Sequence, residues 1–141
     1  MGKKILIIED HPDARRILAL SLRHLGYEAL EAQDGYAGIA MGLAEHPDLI
    51  LLDLGLPGLT GIDTAKRIKA DAETTQIPIV AYTAWHRREM EAKARDAGVV
   101  EYLVKPTPVN VIADVIERLT AKNSSAHQSK LQDPAKTKSG S

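Results

Sequence analysis

Short apolar runs alternate with stretches of helical spacing along most of this chain. The runs cover Lys4–Ile8, Tyr27–Glu31, Leu49–Asp53, Ile79–Thr83 and Val100–Val104. Runs such as ILII and LILL are apolar at every position, which is typical of strands in a parallel sheet that helices cover on both sides. The alternation therefore predicts five βα units and a single α/β layer structure.

The stretches between these runs predict five helices. The apolar positions of the first are Ala14, Ile17, Leu18, Ser21, Leu22 and Leu25, and Gly26 follows as a stop. The second covers Tyr36–Glu45, and the third starts after Thr60, the expected N-cap. The fifth starts with Thr107 as the cap and Pro108 at the first helical position, and its inward stripe is Ile112, Val115, Ile116 and Leu119.

The fourth predicted helix, Trp85–Ala97, has a thin apolar face. Its sequence WHRREMEAKARDA offers only Trp85, Met90 and several alanines to a core. Because few apolar contacts hold such a helix, we expect it to move more readily than the others. With right-handed crossovers, the five units predict a flavodoxin-like, doubly wound five-stranded parallel sheet in the order 2-1-3-4-5. Ligands of such sheets bind beyond the carboxyl ends of strands 1 and 3.

Composition narrows the class of protein. The chain has 141 residues, 44% of them hydrophobic, which is enough for one domain with a core. Its net charge of −1 argues against a nucleic-acid surface or a basic membrane patch. It has no cysteine, and no apolar run suits a signal peptide or a membrane span. We expect a cytoplasmic domain over residues 1–122, monomeric or weakly dimeric, and a polar, disordered tail over residues 123–141.

Acidic residues follow two neighbouring strands of the predicted sheet. Glu9 and Asp10 leave strand 1 and Asp53 leaves strand 3, so the three carboxylates should meet at one edge. A single such Asp usually belongs to a turn, but three like charges about 4 Å apart repel by several kcal/mol and need a cation or shared protons. Because the ligands are hard oxygens, the expected cation is Mg²⁺.

A hydroxyl and an ammonium group should reach the same edge. Thr83 ends strand 4 and Lys105 ends strand 5. A divalent cation, a lysine and a donor hydroxyl are what the oxygens of a phosphoryl group require. Asp53 is the carboxylate placed centrally enough to be the nucleophile.

These residues carry a resemblance to a known family. Glu9-Asp10, Asp53 within LLDLGLPGLTG, Thr83-Ala84, Tyr102 and Lys105-Pro106 stand in this order and spacing. In these motifs the chain resembles the receiver domain of bacterial two-component response regulators, of the stand-alone type. The resemblance covers about residues 3 to 121.

The resemblance implies a role for each residue. Asp53 would accept a phosphoryl group from a phosphohistidine on a histidine kinase or histidine phosphotransfer protein. Asp10 would bind Mg²⁺ directly, Glu9 through water, and the carbonyl of Gly55 would join them. Lys105 and the Thr83 hydroxyl would hold the phosphoryl oxygens, and Tyr102 would swing inward as Thr83 moves.

Further expectations rest on the same resemblance. The Lys105-Pro106 bond would be cis, and a downstream protein would bind the face of helix 4, strand 5 and helix 5. The domain would be a regulator and not an enzyme, apart from slow self-catalysed phosphorylation and dephosphorylation. Gly55 and Trp85 depart from the common pattern at positions that tune phosphoryl lifetime, and their net effect stays open. The use of the domain also stays open, as a relay shuttle, a binder of protein complexes or a kinase regulator.

Two other function classes fit the residues less well. A phosphatase of the haloacid dehalogenase type needs a second acid two residues after its nucleophile, where this chain has Gly55. A flavin or dinucleotide carrier needs glycines after strand 1, where this chain has EDHPDAR. The five histidines are scattered, and we interpret all of them, including His11, as surface or loop residues.

Overall fold

The computed structural model describes residues 2–132, with side chains as far as residue 121. Its strands are β1 (Lys4–Ile8), β2 (Glu28–Ala32), β3 (Leu49–Leu52), β4 (Ile79–Thr83) and β5 (Val99–Val104). Its helices are α1 (Pro12–His24), α2 (Gly35–Glu45), α3 (Gly61–Ala70), α4 (Arg88–Asp96) and α5 (Val109–Gln132). The strands are parallel in the order β2-β1-β3-β4-β5, which confirms the predicted flavodoxin-like fold.

Two apolar layers enclose the central strands. Alternate side chains of β1 and β3 point to opposite faces, so Ile5 and Leu49 pack toward α1 and α5, whereas Leu6 and Ile50 pack toward α2, α3 and α4. All four are fully buried, and each contributes about 1.5–3 kcal/mol. This double burial explains why the strands are apolar at every position. No helix in the described residues is long and apolar enough to cross a membrane.

Helix ends differ from the predictions where local hydrogen bonds decide them. The cap of α5 is Pro108, whose carbonyl accepts from the Ile112 amide at 3.1 Å, so the helix begins at Val109. The predicted cap at Thr107 is therefore wrong by one residue, and the Thr107 hydroxyl instead donates to the Val104 carbonyl at 2.7 Å. Helix α4 begins at Arg88, three residues later than predicted, because the backbone at Arg87 is extended.

Helix α1 buries less of its apolar stripe than its spacing suggests. Ala19 and Leu22 are fully buried, but Ile17 is 64% exposed and Leu25 also faces solvent.

Helix α5 continues to Gln132, so the domain boundary expected at residue 122 falls within this helix. The sequence offers a reason, since the first Gly or Pro after residue 122 is Pro134. The remaining tail, residues 133–141, lies outside the described residues.

Candidate functional site

Four side chains meet where β1 and β3 end. The amide of Glu9 donates to the carbonyl of Ala32 at 3.0 Å, and the amide of Asp53 donates to the carbonyl of Ile8 at 3.0 Å. These backbone bonds fix both strand ends in register. One ligand atom each of Glu9, Asp10, His11 and Asp53 then lies within 4.8 Å of the others. The predicted meeting of the three carboxylates is therefore present.

Lys105 lies among these carboxylates, at the end of β5. Its ammonium forms an ion pair with Glu9 Oε1 and lies 3.6 Å from Asp53 Oδ2. Glu9 and Asp53 are only 5% and 7% exposed, so their charges are poorly hydrated. Without Lys105 the pair would be an uncompensated buried negative charge, which is costly.

The pKa values of the two buried carboxyls, Glu9 and Asp53, are shifted in opposite directions. Burial, the largest influence, raises the pKa of Asp53; the Gly55 amide, which donates to its Oδ1 at 3.1 Å, and Lys105 oppose that rise. At Glu9 burial also acts to raise the pKa, but the hydrogen bonds from Lys105 and His11 outweigh it, and the pKa is lowered. Glu9 is therefore the ionised partner of Lys105, and of these two carboxyls Asp53 is the one whose charge is less well compensated.

The donor set fits Mg²⁺. Asp10 Oδ1 is buried and has no hydrogen-bond partner in the described part of the chain, which leaves it free to bind a cation. Both oxygens of Glu9 are engaged, Oε1 by Lys105 and Oε2 by the His11 amide and Nδ1 at 3.1 and 3.0 Å. Oxygen ligands of this kind suit Mg²⁺, which keeps several of its own waters. Gly55 is in place beside Asp53, and the role expected of its carbonyl stays a prediction.

The two predicted switch residues share a neighbour. Thr83 ends β4 and is buried, and its hydroxyl lies 3.4 Å from the amide of Trp85. The same hydroxyl lies near Asp53, where it counteracts the rise that burial causes in the pKa of that carboxyl. The hydroxyl of Tyr102 donates to the carbonyl of Trp85 at 2.6 Å. The backbone of Trp85 therefore connects the Thr83 hydroxyl to Tyr102. The Lys105-Pro106 bond is cis, as predicted.

The structure adds contacts that the sequence interpretation missed. His11 is an exposed loop residue, as predicted, but its ring also bonds the site carboxylate Glu9, a contact that was not expected. That bond, with Asp10 nearby, raises the pKa of His11. Its position directly after Glu9-Asp10 was the available signal. The Trp85 ring lies over Gly55, since a Cβ there would be 3.3 Å from Trp85 Cζ2.

Comparison with known proteins agrees with this geometry. Residues 5–117 match the response regulator receiver domain family. The chain is 36% identical over 117 residues to the chemotaxis protein CheY of Pseudomonas aeruginosa, covering 82% of this chain and 94% of that protein. It is 39% identical over 114 residues to the phosphate regulon transcriptional regulatory protein PhoB of the same species, covering 80% of this chain but only 50% of PhoB. The chain thus spans about half the length of PhoB.

One solved structure resembles both the fold and the site. It is the receiver domain of the sensor histidine kinase PA1611 from Pseudomonas aeruginosa, with a magnesium ion coordinated in the active site cleft. The TM-score is 0.80 at 29% identity, and the match covers 86% of this chain and 99% of that one. Receiver domains are phosphoacceptor regulators that bind Mg²⁺ in an acidic site, and the cluster around Asp53 is of that kind. The chain belongs to the response regulator receiver domain family of two-component signalling.

Proposed function

We propose that this chain is a switch in which Asp53 accepts a phosphoryl group from a phosphohistidine of a histidine kinase or histidine phosphotransfer protein. One observation carries this: among the described acidic residues of the cluster, Asp53 is the one that accepts from the Gly55 amide at 3.1 Å and lies 3.6 Å from the Lys105 ammonium, with the Thr83 hydroxyl nearby. A carboxylate surrounded by donors that can pass to phosphoryl oxygens is suited to be the nucleophile. Such phosphorelay chemistry belongs in the cytoplasm.

The transfer exchanges one bond for another. An Asp53 oxygen forms a bond to phosphorus while the P–N bond to the donor histidine breaks, and its electron pair returns to the imidazole, which takes up a proton. Asp10 and Asp53, with Glu9 through water and the Gly55 carbonyl, would hold Mg²⁺, which would supply positive charge to the transferring group. Lys105 moves from its Glu9 pair toward the new phosphoryl oxygens.

A phosphoryl group on Asp53 needs more hydrogen-bond donors than the free carboxylate. Phosphorylation adds about −1.5 to −2 charges, and the buried Thr83 hydroxyl is the neighbouring donor able to respond. When that hydroxyl turns to phosphorus it leaves the Trp85 amide, and Trp85 is also the acceptor of Tyr102. The change thereby passes to α4, β5 and α5, the face offered to a downstream protein. A shift from 1:99 to 99:1 needs about 5.5 kcal/mol, which a few charge-assisted bonds supply.

The test is labelling of the unmodified protein by a small acyl-phosphate donor, with and without Mg²⁺. We expect one phosphoryl group per chain, found only with Mg²⁺. Borohydride reduction followed by peptide mass spectrometry should place it at residue 53. Labelling at any other residue, or at equal rate in the presence of a chelator, would exclude the proposal.

A separate prediction concerns the link between Tyr102 and Trp85. Tyr102→Phe removes the 2.6 Å bond to the Trp85 carbonyl and keeps the ring. We expect phosphorylation to persist while amide exchange in residues 84–87 becomes faster, by about fivefold if the bond contributes about 1 kcal/mol. Tyr36→Phe is the matched control, because the Tyr36 ring is exposed on α2 away from this loop. Equal exchange in both variants would contradict the link.

A further inference from the structure

Arg15 connects the candidate metal site to the edge of the sheet. It lies in the first turns of α1, and its Nη1 donates to the Glu9 carbonyl at 2.9 Å. Its Nε donates to Glu31 Oε1 at 3.2 Å, on β2. The side chains of Arg15 and Glu31 are only 16% and 14% exposed. The guanidinium is therefore fixed between the end of β1 and the neighbouring edge strand.

Glu31 also binds two other arginines of α1, which differ from Arg15. Arg16 Nε and Arg23 Nη2 lie 3.2 and 3.5 Å from Glu31 Oε2, and both side chains are largely exposed. Arg23 further donates to the Ala29 carbonyl, on β2 itself. In the described part of the chain, Arg15 is the member of this group that hydrogen-bonds a residue of the acidic cluster. Arg15 and Arg16 therefore share a charge and a partner, and differ in the contact to Glu9.

We propose that Arg15, held by Glu31, is a positioning residue for the metal ligands Glu9 and Asp10. The Glu9 carbonyl belongs to the peptide unit that joins these two residues, and a peptide unit is planar and rigid. A bond that holds its oxygen therefore restrains the backbone from which both side chains leave. The Glu9 carbonyl lies beyond Ile8, the last paired residue of β1, although the Glu9 amide still bonds Ala32. This inference rests on the proposed function, since it presupposes that the cluster binds Mg²⁺.

Charge alone predicts the opposite effect. Arg15 is positive and close to a cation site, so its removal would reduce repulsion and strengthen Mg²⁺ binding. Loss of positioning would instead spread Glu9 and Asp10 over several orientations and weaken binding. The sign of the change in affinity therefore separates the two roles.

The experiment compares Arg15→Met with Arg16→Met by NMR titration with Mg²⁺, following the amide of residue 53. Both substitutions remove one charge from Glu31 and keep a long apolar side chain. We expect the dissociation constant to rise about tenfold in Arg15→Met. In Arg16→Met it should stay within about twofold of the parent, or fall. Equal constants in the two variants, or tighter binding in Arg15→Met, would overturn the positioning role.

Further variants separate positioning from folding. Glu31→Gln should weaken Mg²⁺ binding less than Arg15→Met does. Because Glu31 acts through Arg15, the double variant should bind Mg²⁺ as weakly as Arg15→Met alone. Additive effects of the two substitutions would show that Glu31 does not act through Arg15. If Arg15→Met does not fold, as judged by urea unfolding without Mg²⁺, Arg15→Lys takes its place, since one ammonium cannot satisfy Glu9 and Glu31 as the guanidinium does. Arg15→Lys binding like the parent would then overturn the proposal.

One more variant separates this inference from the function beneath it. Asp10→Asn should abolish the Mg²⁺-dependent shifts if the cluster is the metal site. If Asp10→Asn titrates like the parent, the proposed metal site fails and the inference fails with it. If Asp10→Asn loses binding while Arg15→Met and Arg16→Met agree, only the role of Arg15 fails.

Discussion

Asp53→Asn is expected to abolish phosphorylation and, at the same time, to make the protein more stable. The amide cannot form the acyl phosphate, so labelling by a small donor with Mg²⁺ should fall to the background of a reaction without protein. The neighbouring donors stay in place, because the asparagine oxygen can still accept from the Gly55 amide. The variant should therefore lose its chemistry without losing its fold.

The gain in stability follows from the electrostatics of the site. Burial raises the pKa of Asp53, and Glu9 adds to that rise by repulsion. A carboxyl whose pKa is higher in the folded than in the unfolded chain binds its proton more tightly when folded, so its ionisation lowers stability as the pH rises through that pKa. At neutral pH the ionised form costs the fold free energy. Replacing it by a neutral amide should raise the free energy of unfolding by about 1–2 kcal/mol.

Both effects can be measured beside a matched control. Urea unfolding is followed in chelator at neutral pH, and labelling is followed with Mg²⁺. Asp13→Asn makes the same chemical change at an exposed position of α1 and should alter neither stability nor labelling appreciably. Continued labelling of Asp53→Asn would show that Asp53 is not the acceptor, and a loss of stability would show that its charge is better compensated than the contacts indicate.

The features of the fold and the site that depend on strand order could be predicted from the sequence. Leu49–Leu52 is apolar at every position because both faces of β3 are covered, and this pattern needs no knowledge of the partners. Glu9 and Asp53 could be predicted to lie close together because they follow neighbouring parallel strands. Lys105 could be assigned to the same edge because β5 is parallel to β1 and β3, and its ammonium indeed lies 3.6 Å from Asp53 Oδ2.

Contacts set by side-chain geometry could not be predicted in this way. Arg15 and Glu31 are 16 residues apart, and whether Arg15 or Arg16 reaches Glu9 depends on the rotation of α1 against the sheet. The Trp85 ring over Gly55 depends on the path of the loop before α4. The cap of α5 was mispredicted because the Thr107 side chain turns back to the Val104 carbonyl, and the first helical bond goes to the Pro108 carbonyl. Arg15 and Arg16 offer the same chemistry, and only packing selects one of them.

Gly61→Ala is expected to be strongly destabilising, because the first residue of α3 lies directly against the segment that carries Asp53. A Cβ at Gly61 would stand 2.4 Å from Leu54 Cα and 2.6 Å from the Asp53 carbonyl oxygen. These are backbone atoms in a buried segment, so they cannot turn aside as the end of a flexible side chain can. Either the first turn of α3 or the segment after β3 must move. We expect a loss of about 2–3 kcal/mol in the free energy of unfolding.

Because one of the displaced atoms belongs to Asp53 itself, the same substitution should slow phosphorylation, which depends on sub-ångström placement of the acceptor. Gly42→Ala is the control: it lies in α2, and its new Cβ would be 3.7 Å from Thr74 Cγ2, an ordinary contact. That variant should gain about 0.5–1 kcal/mol from its better helix propensity and label at the parental rate. If Gly61→Ala instead unfolds at the parental urea concentration, the contact between α3 and the Asp53 segment is looser than these distances state. If it is destabilised but labels at the parental rate, α3 has moved and the acceptor has not.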